Sequence, residues 1–285
     1  EKSFIEISEL LRTNDSYSLE NYVKKYNISG DDVKQADILS NIILKKNLSE
    51  CSLVKEIGSE EETTILKTEY ADAPYLVCFD PLDGSSNIGV NITTGTIFGV
   101  YKYDSTGQIK SGRDIVLAGY CLYGGATQYV IANSEKVSMY QLNYSDKNKM
   151  IREFTKIQDN IKIPKKGMTY SFNDSKRKEW IDKRYEKIID WFIEKKYSAR
   201  WVGTLVADGH RTLLKGGFFA YPANISNKSG KIRLLYESYP FAYIFEKAGG
   251  QATDGNISLL DIEYPKEDIH FKSPIILSSC YEMLY

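Results

Sequence analysis

The chain has 285 residues, 42% hydrophobic and 26% charged, and its 37 Lys and Arg against 38 Asp and Glu leave a net charge of −1. That balance excludes a disordered chain, a single small module and a general attraction to nucleic acid or anionic membranes, and it points to one large or two moderate domains. No run approaches the ~18 apolar residues of a membrane span, and the stretch from Glu1 to Tyr26 is too charged for a signal peptide, so the chain reads as soluble.

In chain order, the first 50 residues read as helical: Val33, Ala36, Leu39 and Ile43 recur at helical spacing behind Gly30 and Asp31. From Leu53 onward short β-rich runs take over, at Thr63 to Leu66, Tyr75 to Phe79, Thr96 to Tyr103, Ile115 to Tyr123, Gln128 to Ala132 and Val137 to Leu142. A second block begins near Lys162. It predicts a strand from Met168 to Phe172, one long helix from Arg177 to Lys196, a helix from Leu205 to Leu214, a strand from Phe218 to Tyr221, a helix from Phe241 to Ala248 and a strand from Pro274 to Ser279. Helices and strands mix in both blocks, which is a layered α/β architecture with a boundary near residue 160, giving halves 1–160 and 161–285. Cys51, Cys78, Cys121 and Cys280 lie far apart, without metal-site or redox-motif spacing, and read as buried free thiols in a reducing, cytoplasmic setting. His210 and His270 are too few for a histidine-rich zinc or iron site. His210 sits in a helical run and reads as structural, Tyr236 as packing, and Trp180, Trp191 and Phe192 as core.

The chemistry concentrates at Asp80-Pro81-Leu82-Asp83-Gly84-Ser85-Ser86-Asn87, directly after the apolar run Tyr75 to Phe79. A strand that empties into two carboxylates, a glycine and two hydroxyls places them at a sheet's carboxyl edge, where α/β ligands bind. Asp80 and Asp83 can offer oxygens to a hard cation such as Mg²⁺, while the amides at Gly84 and Ser85 face an anion, a pairing suited to a metal-bound phosphate. The plainer alternative is an Asx-type surface turn. A second acidic run, Ser59-Glu60-Glu61-Glu62, lies far enough upstream for the chain to return beside the turn, or it is simply a solvated face.

These residues resemble the fructose-1,6-bisphosphatase family of magnesium-dependent, lithium-sensitive phosphomonoesterases. Asp80 to Ile88 is similar to the family's metal and phosphate motif almost letter for letter, and the likeness continues through Gly30 to Lys34 and Asn41, Ser59 to Glu61, Gly95 to Gly99, Arg200 to Arg211, Tyr221 to Asn224 and Lys231 to Gly250. The resemblance implies an αβαβα fold, a metal and regulatory N-terminal half, a sugar-phosphate C-terminal half, and a homotetramer. It further implies hydrolysis of the 1-phosphate of fructose 1,6-bisphosphate, as in gluconeogenesis. By motif, Glu60, Asp80, the Leu82 carbonyl, Asp83 and Glu237 match ligands for two or three Mg²⁺, with Mn²⁺ or Zn²⁺ as substitutes. Glu61, Asp37 and Asp31 match the site where water is activated. Gly84, Ser85, Ser86 and Arg233 match the 1-phosphate site; Asn173, Tyr221 and Lys231 match positions round the sugar and 6-phosphate; Arg200 matches an arginine that reaches a neighbouring subunit.

The pattern is broken in places. Trp201 stands where the family has a tyrosine, and Lys176 where a second tyrosine usually follows Asn173, which leaves sedoheptulose 1,7-bisphosphate as a rival substrate. Pro74 and Lys102 replace a lysine and an arginine beside Tyr75 and Tyr101, and the N-terminal segment is short, so AMP inhibition is expected to be weak or absent. The cysteine-bearing insertion of redox-regulated chloroplast members is missing. A non-catalytic regulatory relative is the other alternative, against which stand the retained carboxylates at 60, 61, 80, 83 and 237.

Overall fold

The computed structural model describes residues 1–12, 32–145, 151–266 and 268–284. Two helices, α1 (Lys2–Arg12) and α2 (Asp32–Ser49), lead into β1 (Val54–Ser59), β2 (Leu66–Lys67), β3 (Tyr75–Asp83), β4 (Thr94–Lys102), β5 (Ile115–Tyr123), β6 (Thr127–Ala132), β7 (Val137–Ser145) and β8 (Ile151–Gln158). These eight strands form one sheet in the order β2-β1-β3-β4-β5-β6-β7-β8, antiparallel throughout except for the parallel pair β1 and β3. Next come β9 (Thr169–Phe172), α3 (Arg184–Glu194), β10 (Ser198–Ala199), α4 (Leu205–Lys215), β11 (Phe218–Tyr221), β12 (Ile232–Arg233), α5 (Tyr239–Lys247), β13 (Gln251–Thr253), β14 (Lys272–Ser273) and β15 (Ile275–Ser278). Five of these strands make the second sheet, ordered β10-β9-β11-β15-β13, while β12 and β14 pair by themselves.

The middle of the first sheet is buried on both faces, and β3 shows it in its alternation. Val77 and Phe79 pack with Phe4, Ile7, Leu10, Leu39 and Ile43 of α1 and α2. Leu76 and Cys78 face the opposite way, into a cluster with Val206 and Leu213 of α4, Phe241, Ile244 and Phe245 of α5, and Phe219, Ile275 and Leu277 of the second sheet. On the outer face of that second sheet Phe172, Phe218 and Ile276 meet Tyr185, Ile189 and Phe192 of α3. The layers therefore run α1/α2, sheet, α4/α5, sheet, α3: an αβαβα sandwich.

Several elements differ from the sequence expectation. The run at Thr63 to Leu66 is mostly bend, with only Leu66 entering the short strand β2, and the strand that β2 pairs with is β1, which opens at Val54. The long helix expected from Arg177 is broken: a 3₁₀ turn covers Asp174–Glu179, and α3 starts only at Arg184. Trp180 causes the break, because it is extended (φ −61°, ψ 132°) and bridges to Asn224 with its ring buried in the third cluster. The thiol expectation needs correction too. All four cysteines are free, but only Cys78 and Cys121 are buried; Cys280, at the end of β15's strand run, is exposed. Asp31, and with it the expected helix start at Gly30, lies outside the described residues.

Candidate active site

Because β1 and β3 are parallel neighbours with Ser59 opposite Phe79, the residues leaving both strands emerge at one sheet edge. The Glu60 amide extends that register by donating to Phe79 O at 3.1 Å. Helix α2 braces the acidic run: Ser59 Oγ donates to Asn41 Oδ1 at 2.8 Å, Asn41 Nδ2 donates to Glu62 Oε1 at 2.9 Å, and Lys45 pairs with Glu62. Glu60 and Glu61 are thus presented beside Asp80 despite their distance in sequence.

Two residues three apart on a regular strand point to opposite faces. Asp80 and Asp83 escape that rule because the β3–β4 register shifts between them, at Pro81, which has no amide to give to the ladder. Asp80 Oδ1 takes the Leu82 amide at 2.9 Å, and Thr96 Oγ1 caps the Pro81 carbonyl at 2.8 Å, so the bulge is fully bonded. Asp83 Oδ2 accepts the Val206 amide at 2.7 Å, in the first turn of α4, where the helix dipole favours a negative charge. Glu237 arrives from the second half of the chain on a single π-helical turn, Leu234–Ser238, and its Oε2 accepts the Arg233 amide at 2.7 Å. Ligand oxygens of Asp80, Asp83 and Glu237 come within 4.8 Å of one another.

All three line a cavity of about 340 Å³ together with Asp37, Glu60, Glu61, Leu82, Gly84, Ser85, Ser86, Tyr221, Lys231 and Arg233. Seven carboxylates, counting Asp208, meet two cations there. Burial is the largest influence on each of the central acids and raises the pKa of Asp80, Asp83 and Glu237; Glu60 adds to the rise in all three. The Val206 amide opposes it at Asp83 and Arg233 at Glu237. Glu61 is also raised, first by burial and then by Glu60. Arg233 spans the cluster, with Nη2 2.6 Å from Glu60 Oε1 and Nη1 3.7 Å from Glu237 Oε2. A buried, oxygen-only set of acids that resist ionisation beside one another is the donor chemistry of a hard divalent cation, which would hold them all charged.

The sequence candidates divide by position. Glu60, Glu61, Asp37, Asp80, Leu82, Asp83, Gly84, Ser85, Ser86, Tyr221, Lys231, Arg233 and Glu237 share the cavity. Asn173 does not line it but reaches it indirectly, its Nδ2 donating to the Tyr221 hydroxyl at 3.4 Å. Arg200 stands outside, just past the edge strand β10, with Nη1 donating to Ala199 O at 2.7 Å. Lys176 pairs with Glu179 at 2.9 Å on the surface. Trp201 does line the cavity, its ring parallel to Phe219 at 6.2 Å and tilted against Tyr221.

Sequence reasoning missed Asp208. Its carboxylate is fully buried and accepts from Ser171 Oγ at 3.0 Å, from the Val202 amide at 3.0 Å and from the Gly203 amide at 3.0 Å, with Arg211 Nη2 at 2.7 Å. The turn it anchors carries Trp201 and Thr204 into the cavity. Thr204 as a helix cap ahead of Leu205 was the one readable signal: its Oγ1 accepts the Ala207 amide at 3.2 Å.

Residues 4–152 match the family profile described as "Fructose-1-6-bisphosphatase, N-terminal domain", and residues 163–284 match "Fructose-1-6-bisphosphatase, C-terminal domain". The chain is 41% identical over 263 residues to fructose-1,6-bisphosphatase class 1 of Sulfurihydrogenibium sp., covering 91% of this chain and 79% of that protein. It is 43% identical over 272 residues to fructose-1,6-bisphosphatase 1 of Bos taurus, covering 89% and 76% respectively. The crystal structure of Leishmania major fructose-1,6-bisphosphatase in holo form superposes with a TM-score of 0.87 at 34% identity, over 99% of this chain and 88% of the other. Two matched domains in order, relatives above 40% identity and a shared five-layer fold agree: this chain belongs to the class 1 fructose-1,6-bisphosphatase family.

Proposed function

We propose that the chain hydrolyses the 1-phosphate of fructose 1,6-bisphosphate to fructose 6-phosphate and phosphate in a Mg²⁺-dependent reaction. The observation that carries this is the convergence of buried Asp80 and Glu237 with half-buried Asp83 within 4.8 Å, in the cavity that also holds the Gly84–Ser86 turn. Glu60, Asp80, the Leu82 carbonyl, Asp83 and Glu237 are the residues that would hold two or three Mg²⁺. When bound, such ions draw charge from the phosphoryl oxygens and favour in-line displacement. Around them the chain's own groups divide the work. Gly84, Ser85 and Ser86 receive the 1-phosphate, with the Arg233 guanidinium compensating its charge. Glu61, whose raised pKa makes it a better proton acceptor than an ordinary glutamate, takes the proton from the attacking water, with Asp37 in support and Asp31 assigned to the same step. The bond between phosphorus and the C1 oxygen breaks as the water oxygen joins phosphorus, the C1 oxygen takes a proton from solvent to leave as a hydroxyl, and Glu61 returns the proton it accepted to solvent.

Tyr221 and Lys231 hold the sugar and 6-phosphate end, with Asn173 steadying Tyr221, and Arg200 serves a neighbouring subunit in a homotetramer. The division of labour follows the halves 1–160 and 161–285, with Glu237 and Arg233 as the second half's contribution to the metal end. A specific observation keeps a second substrate in view: Trp201, in place of a tyrosine, removes a phenolic hydroxyl from the cavity wall. A kcat/KM for sedoheptulose 1,7-bisphosphate above that for fructose 1,6-bisphosphate would reverse the assignment. Phosphate release from fructose 1,6-bisphosphate with and without Mg²⁺ tests the main reading. Asp83→Ala is expected to lower kcat by at least ~100-fold with the fold intact by circular dichroism, and undiminished turnover would refute the metal assignment. Pro74 and Lys102 flank the paired ends of β3 and β4, and micromolar AMP is expected to leave the rate unchanged.

A further inference from the structure

The two halves of the carboxylate cluster are joined by a side chain that is not among those lining the cavity. His270 Nε2 lies 2.9 Å from the Glu62 carbonyl, and Nδ1 lies 2.7 Å from the Tyr236 hydroxyl. We infer that His270 is a positioning residue that fixes Glu60 and Glu61 relative to Glu237 and so sets how tightly the cluster holds a divalent cation, an inference that rests on the metal-dependent reading above.

The hydrogen-bond roles follow from the partners. A carbonyl oxygen only accepts, so Nε2 carries a proton and donates to Glu62; in the neutral imidazole Nδ1 then accepts from Tyr236, whose ring is fully buried. The first partner adjoins Glu61 and the second adjoins Glu237. One imidazole therefore spans residues 62 and 236, ends of the site that come from opposite halves of the chain.

His270 is itself held firmly on the Glu237 side. Its amide donates to Asp268 Oδ1 at 2.9 Å, the Leu234 amide donates to Phe271 O at 2.8 Å, and β14 pairs with β12 through Ser273 with Ile232 and Lys272 with Arg233. The Glu60–Glu62 run is braced by Asn41 and Lys45 on its other side, from α2. The Arg233–Glu60 ion pair also crosses between the halves, but it occupies a carboxylate that a cation needs. The His270 bridge uses a carbonyl and a hydroxyl, so it persists when the carboxylates turn to the ion.

Titration calorimetry of the whole chain with MgCl₂ tests this, with thermal unfolding as a control for integrity. His270→Ala and Tyr236→Phe should each raise the Mg²⁺ Kd about fivefold or more, and the double variant should be no worse than the weaker single, since both break the same link. His270→Gln, whose amide offers an N–H and an oxygen, should return the Kd to within about twofold of the parent. An unchanged Kd in a folded His270→Ala protein, or fully additive effects in the double variant, overturns the inference. If His270→Ala does not fold, Tyr236→Phe decides alone. Absence of Mg²⁺ uptake by the parent chain would instead overturn the metal reading, and this inference with it.

Discussion

A methyl group on Gly84 would fall 1.9 Å from Thr204 Cγ2, and the backbone there is left-handed, with φ at +75°. Both facts bear on the proposed chemistry, because Gly84 opens the turn assigned to the 1-phosphate and Thr204 caps the helix that supplies an amide to Asp83. Left-handed backbone costs a non-glycine residue ~1–2 kcal/mol, and the collision must push the two turns apart as well. Gly84→Ala is therefore expected to lower kcat/KM at least ~10-fold. Adding Thr204→Ser, which deletes the colliding methyl and keeps the cap, should recover part of the loss; steady-state kinetics of the single and double variants check this. The Asp80–Asn87 turn was legible in sequence as a candidate site because its chemistry is local, eight consecutive residues after an apolar strand, and the turn does enter the cavity. Asp208 was not, because nothing in the run Leu205 to Leu214 distinguishes it from a surface aspartate: its partners Ser171, Val202, Gly203 and Arg211 converge only after folding.

At the scale of elements, Asp208 ties the first turns of α4 to β9 and to the turn behind β10. Asp208→Asn would set an amide nitrogen among the four donors Ser171, Val202, Gly203 and Arg211, and a charge-assisted hydrogen bond is worth ~1.5–3 kcal/mol. The turn bearing Trp201 should loosen, raising KM for the bisphosphate about tenfold with a smaller change in kcat; equal losses in both would point to damage at the metal end instead. The broken helix at 174–194 shows where element reading ran out. Trp180, Ile188 and Phe192 keep an acceptable helical spacing, and no Pro or Gly interrupts them. The stop comes from a distant strand-like bridge to Asn224, which propensity and periodicity cannot register. Likewise β1 carries too few apolar residues in its sequence, Val54-Lys55-Glu56-Ile57-Gly58-Ser59, to announce a strand buried between β2 and β3.

For the molecule as a whole, the raised acids make stability and cation binding depend on pH together. Asp80, Asp83 and Glu237 bind protons more tightly folded than unfolded. The stability they contribute without a cation is therefore present below the ordinary carboxylate range and is lost as pH rises through their raised values. On the proposed metal reading, a bound Mg²⁺ would reverse the balance by favouring the ionised forms, in competition with protons. The rise in Tm on adding MgCl₂ should accordingly grow from near pH 5 to near pH 8, and scanning calorimetry across that range checks it; a rise independent of pH would contradict the assignment of these groups as ligands. A layered α/β architecture was visible in outline from the mixture of helical and strand-like runs; the αβαβα order was implied only by the family resemblance, and which helices form the layer shared by both sheets emerges from the packing.

The parallel pairing of β1 with β3 has an outcome for how such a chain can diverge. Ser59 faces Phe79, and each following carboxylate inherits its position from that alignment. Shifting either strand by one place would turn its acids to the wrong side of the sheet, whereas lengthening or shortening the excursion from Glu62 to Pro74 leaves the alignment untouched. Descendants of this sequence are thus free to remodel the part of that excursion beyond β2, from Glu69 to Pro74, while a single insertion or deletion inside the two strands would disarm the enzyme outright.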